Sequence, residues 1–150
     1  MKISIASDHA GFALKSKIIQ ALAGKGHDLI DLGTHSEAAV DYPDYALKVG
    51  QSLAEKKSER GIMICGSGVG ACIACNKVLG IRAAICHDSY SAHQGVEHDD
   101  MNVLVLGARI IGEAPAQEIV EAFLKARFSK EERHQRRLDK VLAVEALYFK

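Results

Sequence analysis

The stretch GIMICGSGVGACIACNKVLGIRAAICHD, residues 61–88, decides the fold. Its first residues, Gly61–Cys65, form a short apolar run of strand type, and Gly66-Ser67-Gly68-Val69-Gly70 then alternates glycine with other residues. Ala71–Val78 reads as a helix, and a second apolar run, Arg82–Cys86, follows it. Strand, glycine loop, helix and strand in that order spell the βαβ unit of a parallel sheet.

The same alternation continues on both sides. Lys2–Ser7, Asp28–Asp31 and Asn102–Leu106 are further strand candidates, bringing the expected sheet to five strands whose near-continuous apolarity predicts burial on both faces. Phe12–Lys25 sets Leu14, Ile18 and Leu22 on one helical face and leaves Lys15, Lys17 and Lys25 to solvent, with Gly26 ending it. Tyr42–Lys56 and Pro115–Arg127 repeat the pattern, Pro115 being tolerated near a helix start. A last helix begins at Glu131 or Glu132. Its stripe of Leu138, Val141, Leu142, Val144 and Leu147 has no sixth strand to complete another unit, so a partner subunit is expected to receive it.

A chain of 150 residues fits one domain, residues 1–150, and a domain of that size buries about 70% of its unfolded surface. With 48% apolar and 25% charged residues, disordered and collagen-like classes are excluded. Nineteen Lys plus Arg balance nineteen Asp plus Glu, which leaves no overall field for a polyanion and gives no reason to expect a nucleic-acid partner. The start, MKISIAS, runs into Lys15 and Lys17 and is too short and polar for a signal-peptide core or membrane span. A cytoplasmic protein without a membrane partner is expected. Cys65, Cys72, Cys75 and Cys86 crowd into one stretch, unlike a disulfide framework, and are read as reduced thiols.

Ligands of an open parallel sheet bind beyond the carboxyl ends of its strands. That rule selects Asp8, His9 and Gly11 after the first strand, Cys65 to Gly70 after the third, His87 and Asp88 after the fourth, and Gly107 and Arg109 after the fifth. The alternating glycines let main-chain N–H groups turn toward an anion such as a phosphate or an enolate oxygen. Cys65 sits beside a helix start, whose dipole favours a thiolate able to act as base or nucleophile; a buried strand end is the other reading of the same residue. Cys86 reads as buried, and the C-x-x-C pair Cys72 and Cys75 lies inside a helix, where core packing outweighs redox or zinc roles. No metal is assigned. His93 and His98 are five apart and make a poor metal pair, while His98-Asp99-Asp100 offers an acid or base, or a polar cap. Arg133, Arg136 and Arg137, three and four apart, share a helix side and suit either a phosphate dianion or solvent.

Several motifs in register resemble one family: SDHAGFALK at residues 7–15, DLGTHS at 31–36, DYPDYA at 41–46, ICGSGVGACIACNKVLGIRAA at 64–84, HDDMNVLVLGAR at 98–109 and RHQRR at 133–137. The chain resembles, nearly end to end, the B-type ribose-5-phosphate isomerases within the ribose, allose and galactose phosphate isomerase family. The resemblance implies a single Rossmann-like three-layer α/β domain, with a five-stranded parallel sheet and a C-terminal helix packing on a partner subunit. It also implies a cofactor-free enzyme, a homodimer or dimer of dimers with active sites shared between subunits, and a small-molecule sugar phosphate as ligand. By the same resemblance Cys65 is the proton-transfer base between C2 and C1, and Gly66, Gly68 and Gly70 belong to a loop that holds the enediolate oxygen. Ser67 assists, His98 helps open the sugar ring, Asp8 lies near the sugar hydroxyls, and Tyr42 lines the sugar site. His9, Arg109, Arg133 and Arg137 correspond to phosphate binders, the last two reaching from the other subunit.

Asp99 departs from the Asn that many members carry after the histidine, and a carboxylate does not offer the amide's donors. Ribose 5-phosphate is the expected substrate, with allose 6-phosphate or another aldose 6-phosphate as the alternative. Two rival classes remain. Gly66-x-Gly68-x-x-Ala71 with Asp88 twenty residues after Gly68 fits a loose dinucleotide fingerprint, although the loop follows the third strand and not the first. A non-catalytic sugar-phosphate sensor would keep the same pocket without needing the thiol.

Overall fold

Residues 1–149 are described by a computed structural model; Lys150, the last residue of the expected domain, lies outside the described residues. The elements run β1 (Lys2–Ser7), α1 (Phe12–Leu22), β2 (Asp28–Asp31), α2 (Tyr42–Ala54), β3 (Arg60–Cys65), α3 (Val69–Cys75), β4 (Ala83–Ile85), α4 (Ser89–Asp99), β5 (Val103–Gly107), α5 (Glu113–Lys125) and α6 (Glu132–Tyr148). All pairings are parallel, in the order β2-β1-β3-β5-β4. The fold is thus the expected Rossmann-like α/β sheet with helices on both faces.

Alternation along the inner strands divides the core into two layers. Ile3, Ile5, Ile62, Ile64, Leu104 and Leu106 face one side, where Leu14 and Ile18 of α1, Val96 of α4 and Phe123 of α5 cover them. Ala6, Met63, Cys65, Val103 and Val105 face the other, against Ala46 and Val49 of α2 and Ala71 and Cys75 of α3. Burial on both faces holds for β1, β3 and β5; β2 and β4 are edge strands and remain partly exposed.

Several expectations are corrected. Lys15 does not reach solvent: it is buried, and its Nζ lies 2.5 Å from Asp31 Oδ1 at the end of β2. The central strand begins at Arg60, because the buried guanidinium donates to the carbonyls of Phe123 and Ala126 and stacks over the Phe123 ring. α3 starts before Ala71, since Gly68 takes φ +87° and turns the chain directly into the helix. It stops at Cys75, where the Asn76 amide donates to the carbonyls of Cys72 (3.0 Å) and Ala83 (2.9 Å) and accepts from Ala83 N (2.9 Å). β4 is shorter than Arg82–Cys86 at both ends, and β5 lies one residue later than expected. α1 and α2 close before Lys25 and Lys56, where Gly24 and Lys56 adopt positive φ, and α5 begins two residues before Pro115.

The sheet order reverses between β1 and β3, which opens the crevice in which such folds hold ligands. α6 packs on α4 through the buried His134 and Leu138, while Val141, Val144 and Leu147 stay exposed. No helix among the described residues is long and apolar enough to cross a membrane.

Candidate active site

At the carboxyl end of β3 the Cys65 sulfur accepts a hydrogen bond from Gly68 N at 3.1 Å. The bond closes the loop on the sulfur and directs the positive end of an amide at it. Among the described residues, the N–H groups of Gly66, Ser67 and Gly70 donate to no protein acceptor. Ser67 is exposed and its Oγ accepts from Val69 N at 3.3 Å. Cys65 itself is only 4% exposed, so access to the sulfur is narrow.

Neighbouring strand ends close around this loop. Asp8 N donates to Ile64 O at 3.2 Å, and the Asp8 carboxylate, 7% exposed, accepts from Gly11 N at 3.0 Å. Gly11 permits this approach, because a Cβ there would sit 2.5 Å from Ile64 O. The Nδ1 edge of His9 lies against the main chain of Val40, 3.1 Å from its oxygen and 3.2 Å from its nitrogen, which fixes the ring. Tyr42, at the start of α2, lies over Gly70, where a Cβ would meet its ring at 2.5 Å. Arg109 stands beside Gly66, its Nη1 3.4 Å from the position of a Cβ there, and its N–H donates to Gly66 O. Asp8, His9, Tyr42, the Cys65–Gly70 loop and Arg109 therefore share one end of the sheet.

The remaining candidates form a second cluster. α4 leaves β4 at the carboxyl end of the sheet and runs back, so His98, nine residues beyond Ser89, ends about 14 Å further along the helix axis. There Asp100, just past α4, holds Arg82, the residue before β4 (2.7 Å). His98 stacks on His134 with ring centroids 3.9 Å apart, and its Nδ1 accepts from Gln94 Nε2 at 2.8 Å. Arg133 pairs with Glu131 at 2.9 Å, and Arg137 is exposed on α6. Asp99 is exposed and lines a cleft of about 360 Å³ with Arg82, Leu138, Leu142 and Glu145. Within one chain, then, His98, Asp99, Arg133 and Arg137 do not meet the Cys65 loop.

The other thiols stand apart from chemistry. Burial pushes Cys75 up to about 12 and Cys86 up to about 11, and raises Cys72 as well. No group of three His, Cys, Asp or Glu side chains among the described residues is placed to hold a metal ion. The dinucleotide reading loses its acidic residue: Asp88 caps α4, accepting from Ser91 N at 2.7 Å, and β5 separates its strand from that of the glycine loop.

The ribose/galactose isomerase family model matches residues 3–141. The chain belongs to that family. It is similar to ribose-5-phosphate isomerase B of Escherichia coli, with 44% identity over 144 residues covering 96% of each chain. Among solved structures it superimposes on ribose-5-phosphate isomerase B of Clostridium thermocellum with a TM-score of 0.95, at 47% identity and 99% coverage of both chains. A relative from Mycoplasma genitalium, solved with bound ribulose 5-phosphate, matches with a TM-score of 0.89 at 41% identity, covering 97% of this chain and 96% of that one. Family membership makes the protein a sugar isomerase and sets the nucleotide-binding and sensor readings aside.

Two side-chain arrangements escaped the reading of the residues alone. His134, inside RHQRR, is 2% exposed and stacks on His98; only its place in that arginine-rich run marked it. The ion pair of buried Lys15 with the more exposed Asp31, whose Oδ1 also accepts from Gly33 N at 3.0 Å, had no local signal.

Proposed function

We propose that the chain interconverts ribose 5-phosphate and ribulose 5-phosphate through an enediolate, with Cys65 as the base. The reading rests on one observation above all: a sulfur hydrogen-bonded to Gly68 N at 3.1 Å beside the unengaged N–H groups of Gly66, Ser67 and Gly70. The Cys65 thiolate takes the proton from C2 of the open-chain aldose as the C2 electrons form the enediolate, and the thiol returns that proton to C1. Hydrogen only relocates within one molecule, so no cofactor is consumed. Charge gathers on the oxygen in the transition state, and amides fixed by the loop stabilise it without reorganising, each well-placed donor contributing about 3–4 kcal/mol. Ser67 assists at that oxygen, and Asp8 aids proton movement between the sugar hydroxyls. Tyr42 lines the sugar site. The small opening at Cys65 keeps bulk water from the sulfur.

Separation of the two clusters supports a homodimer in which the site is completed across the interface. One subunit supplies Cys65, His9 and Arg109, while the second copy supplies His98 for ring opening, Asp99 near the sugar, and Arg133 and Arg137 for the phosphate. The exposed Val141, Val144 and Leu147 of α6 form the apolar side that such an interface would cover. Residues 1–150 act as one cytoplasmic isomerase unit in this reading. Its test is turnover of ribose 5-phosphate against allose 6-phosphate by the parent and by Cys65→Ser. Faster turnover of the pentose is expected, with nearly all of it lost and sugar-phosphate binding retained in C65S. A C65S enzyme of parental rate would place the base elsewhere.

A further inference from the structure

We propose that His87 is a positioning residue for the catalytic loop, holding the Gly107 amide through a ring nitrogen that must be unprotonated. β4 and β5 run in register up to Ile85 and Val105, and Cys86 N still donates to Val105 O at 3.3 Å. A regular parallel ladder would carry the next N–H, that of Gly107, to the Cys86 carbonyl. Here it goes instead to His87 Nε2 at 2.9 Å. A main-chain N–H can only donate, so Nε2 accepts, and the neutral ring carries its proton on Nδ1.

Gly107 is where the catalytic loop rests. It pairs with Cys65 in the β3–β5 register, and the next two residues donate back to the loop, Ala108 N to Cys65 O at 2.8 Å and Arg109 N to Gly66 O at 3.0 Å. Its missing side chain is filled by the Ser67 carbonyl, whose oxygen lies 2.6 Å from where a Cβ would stand. Gly68 also lies alongside, with the Gly107 nitrogen 3.4 Å from the Cβ position there. Fixing the Gly107 amide therefore fixes the seat of Ser67 and Gly68, and through Gly68 N the donor to the Cys65 sulfur. Half-buried and outside both residue clusters of the site, His87 reaches the chemistry only through this main chain.

The proposal rests on the isomerase reading, and two measurements keep the fate of each distinct. Steady-state kinetics compare the parent with His87→Leu, which fills similar space without an acceptor, and His87→Gln, whose side-chain oxygen stands near Nε2. H87L is expected to lower kcat about tenfold while KM stays within about twofold, and H87Q to recover kcat to within about threefold of the parent. A filling role alone would leave H87L at parental kcat, and either that result or an H87Q as slow as H87L overturns the proposal. Independently of activity, ¹⁵N NMR of the parent at neutral pH should show His87 Nε2 unprotonated and the Gly107 amide protected from exchange. A protonated Nε2 or an unprotected Gly107 amide overturns it even if H87L fails to fold. A parent inactive on ribose 5-phosphate, with the NMR result as expected, would instead overturn the substrate assignment.

Discussion

Replacing Gly107 by alanine would put a methyl group 2.6 Å from the Ser67 carbonyl oxygen, 2.7 Å from its carbon and 2.8 Å from Ile110 Cγ1. The first two atoms are main chain of the catalytic loop, so the clash cannot be relieved by swinging a side chain. Opening 2.6 Å to the 3.4 Å of ordinary contact displaces Ser67 by about 0.8 Å relative to β5. Overpacking of this kind costs about 1–3 kcal/mol. At about 2–4 °C per kcal/mol for a chain of this size, Tm should fall by about 2–12 °C. A shift approaching 1 Å at groups that align the reacting carbons with the base should lower kcat by about 10- to 100-fold. Calorimetry and a ribose 5-phosphate assay run well below the variant's Tm separate the two effects. A G107A enzyme that loses Tm but keeps kcat would refute the reasoning, because the strain would then have been absorbed without moving the loop.

Three further outcomes are expected. Iodoacetamide at about pH 8 should modify Cys65 before Cys75 or Cys86, because with values of about 12 and about 11 those two hold only about one thiolate in 10⁴ and 10³; peptide mass spectrometry reads the order, and prior labelling of either buried thiol in folded protein would contradict it. Mixed subunits of C65S and Arg137→Ala, each inactive alone, should recover about a quarter of parental activity after unfolding and refolding together, since about half the dimers are mixed and each of these keeps one intact site; no recovery would mean that sites are not shared. Burial, together with the neighbouring His98 and Arg133, holds the His134 imidazole below its ordinary value of 6.5, so below that pH the unfolded chain takes up more protons than the folded one. Stability should therefore be present above pH 6.5 and lost as pH falls toward the folded-state value, and His134→Gln should flatten that decline in Tm.

The sheet was legible because its inner strands are apolar on both faces, and Ile3, Ile62 and Leu104 look alike wherever they stand in the order. Lys15 was misjudged, and Arg60 left outside its strand, for the opposite reason. A charged side chain reads as solvent-facing until its partner is known, and their partners, Asp31 in one case and the Phe123 and Ala126 carbonyls in the other, arrive from distant segments. The same applies within the site. The glycine loop and Cys65 are contiguous and could be read, whereas the seating of Tyr42 on Gly70 and of Arg109 beside Gly66 depends on how separate elements pack.

Strand and helix content, the glycine turn and the family motifs are properties of neighbouring residues, governed by backbone torsions and by side-chain periods of two and 3.6 that any short window displays. Strand order has no such local signature. That β5 inserts between β3 and β4, that Gly107 thereby becomes the seat of the loop, and that α4 carries His98 away from Cys65 follow from packing between segments far apart in the chain. Only the assembled sheet could decide them, because each contact forms when two buried surfaces meet and neither surface specifies its partner alone.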